Sequence, residues 1–183
     1  ETIEYFVFGP LRLSNRLVFW NRKYHLCIVP GSQIVQGREL TDVVILPKRK
    51  IHSYAQYDTP EVFELASTVK IVTKALERNL NTNTSTIYFQ EYKDRTHDDE
   101  KLGHFHVHIV PRLANDFAKA DDIYQFLLDH DKEWANQLRA LLQDKAVEDE
   151  RDNGAEQATL GKEADKIKEV VDKEVKLVRE DKD

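Results

Sequence analysis

Short runs of β-branched and aromatic residues, separated by polar turns, dominate the first 112 positions. Tyr5-Phe6-Val7-Phe8 is a brief aromatic strand. Leu17-Val18-Phe19-Trp20 and Leu26-Cys27-Ile28-Val29 flank the polar Asn21-Arg22-Lys23, the pattern of a hairpin. Asp42-Val43-Val44-Ile45-Leu46-Pro47 is a strand closed by proline, and Ser85–Gln90 is another. The run HFHVHIVPR, residues 104–112, is the last. The period lengthens between these strands. Val62, Phe63, Leu65, Ala66, Val69, Val72 and Leu76 recur at helical spacing behind Asp58-Thr59-Pro60-Glu61, so a helix is predicted over 60–80. After Arg112 the helical spacing returns in Ile123, Phe126, Leu127, Trp134, Leu138 and Leu141. From Lys145 onward the chain is charged. Val170, Val171, Val175, Leu177 and Val178 form a sparse apolar stripe there, which reads as a long solvated helix. The expected class is α+β: an antiparallel sheet with a covering helix over 1–142, then a charged helical C-terminal extension over 143–183.

Composition narrows the function classes. Charged residues make up 33% of the 183, and the formal net charge is -6. A general nucleic-acid binder needs clustered cations, so that class is disfavoured, whereas a nucleotide in one small pocket is not. Cys27 is the only cysteine, which rules out an internal disulfide and a thiolate zinc cluster. No apolar run reaches the roughly 18 residues of a membrane span. The first residues do not form a cationic and then apolar leader, so an intracellular location is expected: cytoplasmic or nuclear, or mitochondrial after removal of a transit segment. The chain begins at Glu1 and contains no methionine, so its natural start is expected upstream.

His104, His106 and His108 occupy every second position of their run. Strand side chains alternate, so the three imidazoles share one face and Phe105, Val107 and Ile109 the other. Three readings follow. A merely solvated histidine face does not account for three in register opposite a clean apolar face. A zinc site is a second reading, with His97 or His130 as a further ligand, but three residues along one strand spread too far to converge easily. The third is nucleophilic catalysis, in which an imidazole attacks phosphorus and its neighbours orient it and stabilise developing charge.

The pattern His-φ-His-φ-His-φ-φ, with φ apolar, fits residues 104–110 and resembles the signature of the histidine triad superfamily. Pro111-Arg112, Asn115-Asp116-Phe117, Asp122-Ile123-Tyr124 and His130-Asp131-Lys132-Glu133 are similar to the branch of fragile-histidine-triad-like dinucleoside polyphosphate hydrolases. So are the 18–29 hairpin, the segment from Gly37 to His52, and, loosely, Glu163-Ala164 and Ile167. The resemblance covers about 130 residues. It implies hydrolysis of a dinucleoside polyphosphate such as diadenosine triphosphate through a nucleotidyl-histidine intermediate. His106 is the implied nucleophile, His108 its hydrogen-bonding neighbour and His104 the residue that orients the face. Gln90 is the implied phosphate contact. Phe8, Ile28 and His52 are further candidate substrate contacts. No metal is required by this scheme, and any magnesium would arrive on the polyphosphate. The resemblance also implies a homodimer, with 85–92 as an open edge strand.

The chain departs from the branch in two loops. After the 26–29 strand, Pro30 stands where the branch has Asn, Arg38 replaces the His after Gly37, and the turn in VPGSQIVQGREL is lengthened. Before the triad, EYKDRTHDDEKLG is longer than usual and brings Asp98, Asp99 and Glu100 where an anion should dock, with Lys93, Arg95 and Lys101 as compensating cations. Only Gly103 remains of the glycines there, and His97 is either a substitute phosphate contact or a loop histidine. Two outcomes stay open: an enzyme for an altered nucleotide ester or amide, or a non-catalytic subunit whose acidic tail docks to a larger assembly.

Overall fold

The computed structural model describes residues 5–8, 11–29, 32–35, 38–91, 104–129 and 154–180. In chain order the strands are β1 (Tyr5–Phe8), β2 (Leu11–Ser14), β3 (Val18–Asn21), β4 (His25–Ile28), β5 (Ser32–Val35), β6 (Arg38–Thr41), β7 (Val43–Pro47), β8 (Ser85–Gln90) and β9 (His106–Pro111). Helix α1 is Thr59–Leu80, a shorter helix α2 covers 122–129, and α3 is Gly154–Glu180.

Five strands form one antiparallel sheet in the order β3-β4-β7-β9-β8. The class is the α+β expected from the pattern. Two small hairpins, β1–β2 and β5–β6, are separate ribbons. Neither β2 nor the β5–β6 pair was foreseen, and the lengthened turn of the sequence reading contains that second hairpin. Its strands are four residues each, too short for a period to stand out.

Helix α1 starts as its sequence predicts. Pro60 sits in the first turn, and the Glu61 carboxylate accepts the Asp58 backbone N–H at 2.8 Å. Arg49 grips the same carboxylate with two donors, at 2.7 and 3.1 Å. The helix stops at Asn81, whose φ of 52° is left-handed, and Thr82 N–H closes the last turn on Glu77 O at 2.9 Å. Its buried stripe is Glu61, Leu65, Thr68, Val72, Ala75 and Leu76. Phe63, expected on that stripe, is two residues out of phase with it and is exposed.

The main core lies between the sheet and the helices. Cys27, Val43, Ile45, Phe105, Val107 and Ile109 meet Leu65, Val72 and Leu76 of α1. The expectation that the apolar face of the histidine run packs on this helix holds. Helix α3 corrects the solvated-helix reading. Ala164, Ile167 and Val171 are buried in the same core, with Val170 and Val175 at its margin. The sequence stripe looked sparse because two of its members are an alanine and a carboxylate. Glu174 is 2% exposed and is gripped by Arg78 and, at 3.9 Å, by Lys74 of α1. None of the helices among the described residues is long and apolar enough to cross a membrane.

Candidate active site

Register decides what shares the other face of the sheet. Val18 pairs with Ile28, Ile28 with Val44, Val44 with His108, and His108 with Tyr88, a row running across all five strands. Gln90 pairs with His106 one row further along. Cross-strand partners point to the same side, so Ile28, Tyr88, Gln90, His106 and His108 occupy one face. The apolar half of that face is covered: Leu26, Ile28, Val44 and Leu46 form a cluster against which Phe6 of β1 packs.

The three histidines are buried, at 3%, 1% and 1% exposure for His104, His106 and His108. Their hydrogen bonds assign the protons. His106 Nδ1 lies 2.9 Å from the His104 carbonyl oxygen. A carbonyl only accepts, so Nδ1 carries the proton and the neutral ring has its lone pair on Nε2. His104 Nε2 donates to the Arg49 carbonyl at 3.2 Å, which gives that ring the opposite tautomer. His108 Nδ1 donates to Asp42 Oδ2 at 2.8 Å. The His106 and His108 rings meet edge to face, with centroids 4.8 Å apart, and Tyr88 lies against His108 at 6.2 Å. Burial pushes His104 down to about 4, with the charges of His106, His52 and Lys50 adding to the effect. His104 is therefore neutral near pH 7.

Gln90 stands beside this group. Its Oε1 accepts the Tyr88 hydroxyl at 2.5 Å and its Nε2 donates to Glu91 O at 3.3 Å. His52 is half-buried and close enough to His104 to act on it electrostatically. Ile28 shares the face with His108 but is fully buried under the Phe6 cluster. The backbone of Phe8 pairs with Leu11 in the β1–β2 ribbon, and its side chain lies outside the described residues.

Asp42 is the site residue that sequence reasoning missed. It reads there only as the polar residue ahead of a five-residue apolar strand. Nothing in the sequence reveals that this position abuts the third histidine, because the contact depends on the β7–β9 register. Arg38, expected in place of a histidine, opens β6 instead, and Asp42 directly precedes β7. Residues 92–103, with Lys93, Arg95, His97, Asp98, Asp99, Glu100, Lys101 and Gly103, lie outside the described residues, as do Pro30, Gly37 and His130. Among the described residues no three histidine, cysteine, aspartate or glutamate side chains converge as metal ligands. Arg112 pairs with Asp116 through two donors, at 2.6 and 3.0 Å. Burial pushes the Cys27 thiol up, which makes it a poor nucleophile.

No protein-family model matches the chain. It is 31% identical over 116 residues to a nitrilase and fragile histidine triad fusion protein of Caenorhabditis elegans, an alignment covering 63% of this chain and 24% of that protein. The chain thus aligns with only about a quarter of the fusion protein. It is 27% identical over 138 residues, 75% of this chain and 73% of the other, to a bifunctional bis(5'-adenosyl)-triphosphatase/adenylylsulfatase of Arabidopsis thaliana. Among solved structures, the Plasmodium falciparum diadenosine triphosphate hydrolase in complex with cyclomarin A superimposes with a TM-score of 0.50 at 21% identity, over 80% of this chain and 90% of that one. The superposition shows that the chain has the fold of that hydrolase, and in sequence the chain is similar to proteins of the fragile-histidine-triad branch of the histidine triad superfamily.

Proposed function

We propose that the protein hydrolyses a dinucleoside polyphosphate such as diadenosine triphosphate through a nucleotidyl-His106 intermediate. The observation that carries this reading is the His106 tautomer. The bond from Nδ1 to the His104 carbonyl gives Nε2 a lone pair on the face shared with His108 and Gln90. That is the atom a nucleophilic imidazole needs. In the first step Nε2 attacks the α-phosphorus, an N–P bond forms, and the bond to the polyphosphate bridge oxygen breaks to release the remaining nucleotide. Water then attacks the same phosphorus, the N–P bond breaks, and the mononucleotide leaves. His108, edge-on at 4.8 Å, and the amide of Gln90 face the equatorial oxygens, where negative charge develops. His104 acts through its carbonyl and fixes the nucleophile's orientation.

The activities named for the Arabidopsis relative and for a bis(5'-adenosyl)-triphosphatase of Dictyostelium discoideum, 25% identical over 117 residues, favour an enzyme over a non-catalytic subunit. Magnesium would enter on the substrate. A two-fold homodimer fits β8, an edge strand of the sheet among the described residues, where Ile87 and Phe89 are 41% and 47% exposed. The test is turnover of diadenosine triphosphate and of nucleoside phosphoramidates by the purified protein and by His106→Asn. Wild-type turnover abolished in the variant is expected. No turnover of any of these substrates by the wild type would refute the enzymatic reading.

A further inference from the structure

One buried carboxylate on the histidine face is used by no step above. Asp42 is 4% exposed, and its Oδ2 accepts from His108 Nδ1 at 2.8 Å. Burying a carboxylate is costly unless a cation or several donors compensate it. Among the described residues Oδ1 has no hydrogen-bond partner, so the His108 bond is the compensation the structure records. Position reinforces this. Asp42 is the single residue between β6 and β7, held by the hairpin on one side and by the sheet on the other. The titratable groups that face His108 include Asp42, Tyr88 from β8 and His106 from its own strand. Of these three, Asp42 supplies the carboxylate.

The geometry points to Asp42 as a positioning residue that holds His108 in one tautomer and in its cationic form beside the transferred phosphoryl group. The catalytic part of this inference rests on the nucleotidyl-transfer reading; the charge state of the pair does not. With Nδ1 committed to Asp42, the other ring nitrogen is aimed away from the carboxylate. An imidazolium 4.8 Å from the His106 ring disfavours a second proton there, which keeps the nucleophile's lone pair available. The same cation neutralises charge that builds on phosphorus oxygens. It also screens the substrate from the Asp42 carboxylate, which would otherwise repel a polyphosphate.

The experiment compares wild type with Asp42→Asn. The Asn carbonyl can still accept from Nδ1, so shape and tautomer survive while the negative charge is lost. Long-range proton–nitrogen NMR without substrate follows the His108 ring through a pH titration. The expected result is protonation on Nδ1 in the neutral wild-type ring, and a titration displaced to lower pH by about one unit or more in the variant, as loss of a contacting opposite charge requires. With diadenosine triphosphate, the alkaline limb of the kcat profile should move the same way. At pH 8, kcat should fall by about tenfold while KM changes far less. An unchanged His108 titration overturns the proposal even if activity is lost, because the carboxylate would then be only structural. So does a wild-type neutral ring protonated on Nε2, a measurement that needs no variant to fold. A displaced titration with no turnover by either protein would support the pair and sink the nucleotidyl-transfer reading instead.

Discussion

Acidification is the perturbation whose size the structure sets most directly. Burial lowers His104 from its ordinary 6.5 to about 4. The unfolded chain therefore binds a proton that the folded one rejects, and stability is lost as pH falls from about 6.5 toward 4. Below pH 4 both states are protonated and the loss is complete. For those two values the linkage relation gives an upper bound of about 2 kcal/mol lost between pH 8 and pH 5. His25 adds to the loss. It is fully buried between Glu64 at 2.9 Å and the Tyr57 hydroxyl at 3.1 Å, and its desolvation outweighs the help from Glu64, so it too is lowered. The cationic His108 proposed above works in the opposite direction but is common to both proteins of the comparison, and the acids do not confuse the window. Glu61 and Asp116 are lowered by their arginine partners, and their contribution is lost only below the ordinary carboxylate range. The assay is the urea midpoint measured at several pH values between 5 and 8, for wild type and His104→Gln. The variant should show a visibly flatter dependence. Identical slopes would refute the claim that a buried, uncharged His104 sets this sensitivity.

Other outcomes follow from packing and charge. Ile167→Ala removes a core side chain from α3 and should cost about 3 kcal/mol in denaturant unfolding; a change below about 0.5 kcal/mol would restore the solvated-helix reading. The salt bridge at Glu174 is asymmetric, since its acid is buried and both cations are half-exposed. Glu174→Ala should cost about 1 kcal/mol, whereas Lys74→Ala with Arg78→Ala strands a buried carboxylate and should cost about 3 kcal/mol; equal losses would contradict this. Phe105→Ala empties the centre of an aromatic group formed with Tyr54, Tyr57 and Phe89 and should cost about 3–5 kcal/mol by thermal or denaturant melting. If the β8 edge mates, light scattering should give a dimer mass, and Phe89→Lys should reduce it to a monomer without loss of helical signal.

The sheet was legible because its strands are β-branched, bounded by turn residues and, in the histidine run, strictly alternating. Helix α1 was legible because cap, proline and stripe agree. Both signals are local. The features that were not legible depend on contacts far apart in sequence. Helix α3 looked solvated because its seam includes Ala164 and Glu174, and only packing against α1, β3 and the turn at 15–17 makes those positions interior. Asp42 looked like a strand boundary, and only the neighbouring strands bring it to His108. Ile28 read as a candidate substrate contact, but its cover by Phe6 comes from a ribbon whose second strand the sequence did not announce. The motif thus showed the shared histidine face, while tertiary pairing supplied Asp42 beside His108.

The most direct test of the account is capture of the intermediate. The protein is mixed with diadenosine triphosphate, quenched under alkaline conditions that preserve phosphoramidates, digested and examined by mass spectrometry. The account predicts an adenylyl group on the peptide spanning His106, absent from His106→Asn. Turnover without such an adduct on a millisecond quench, or an adduct that persists in the variant, would contradict it.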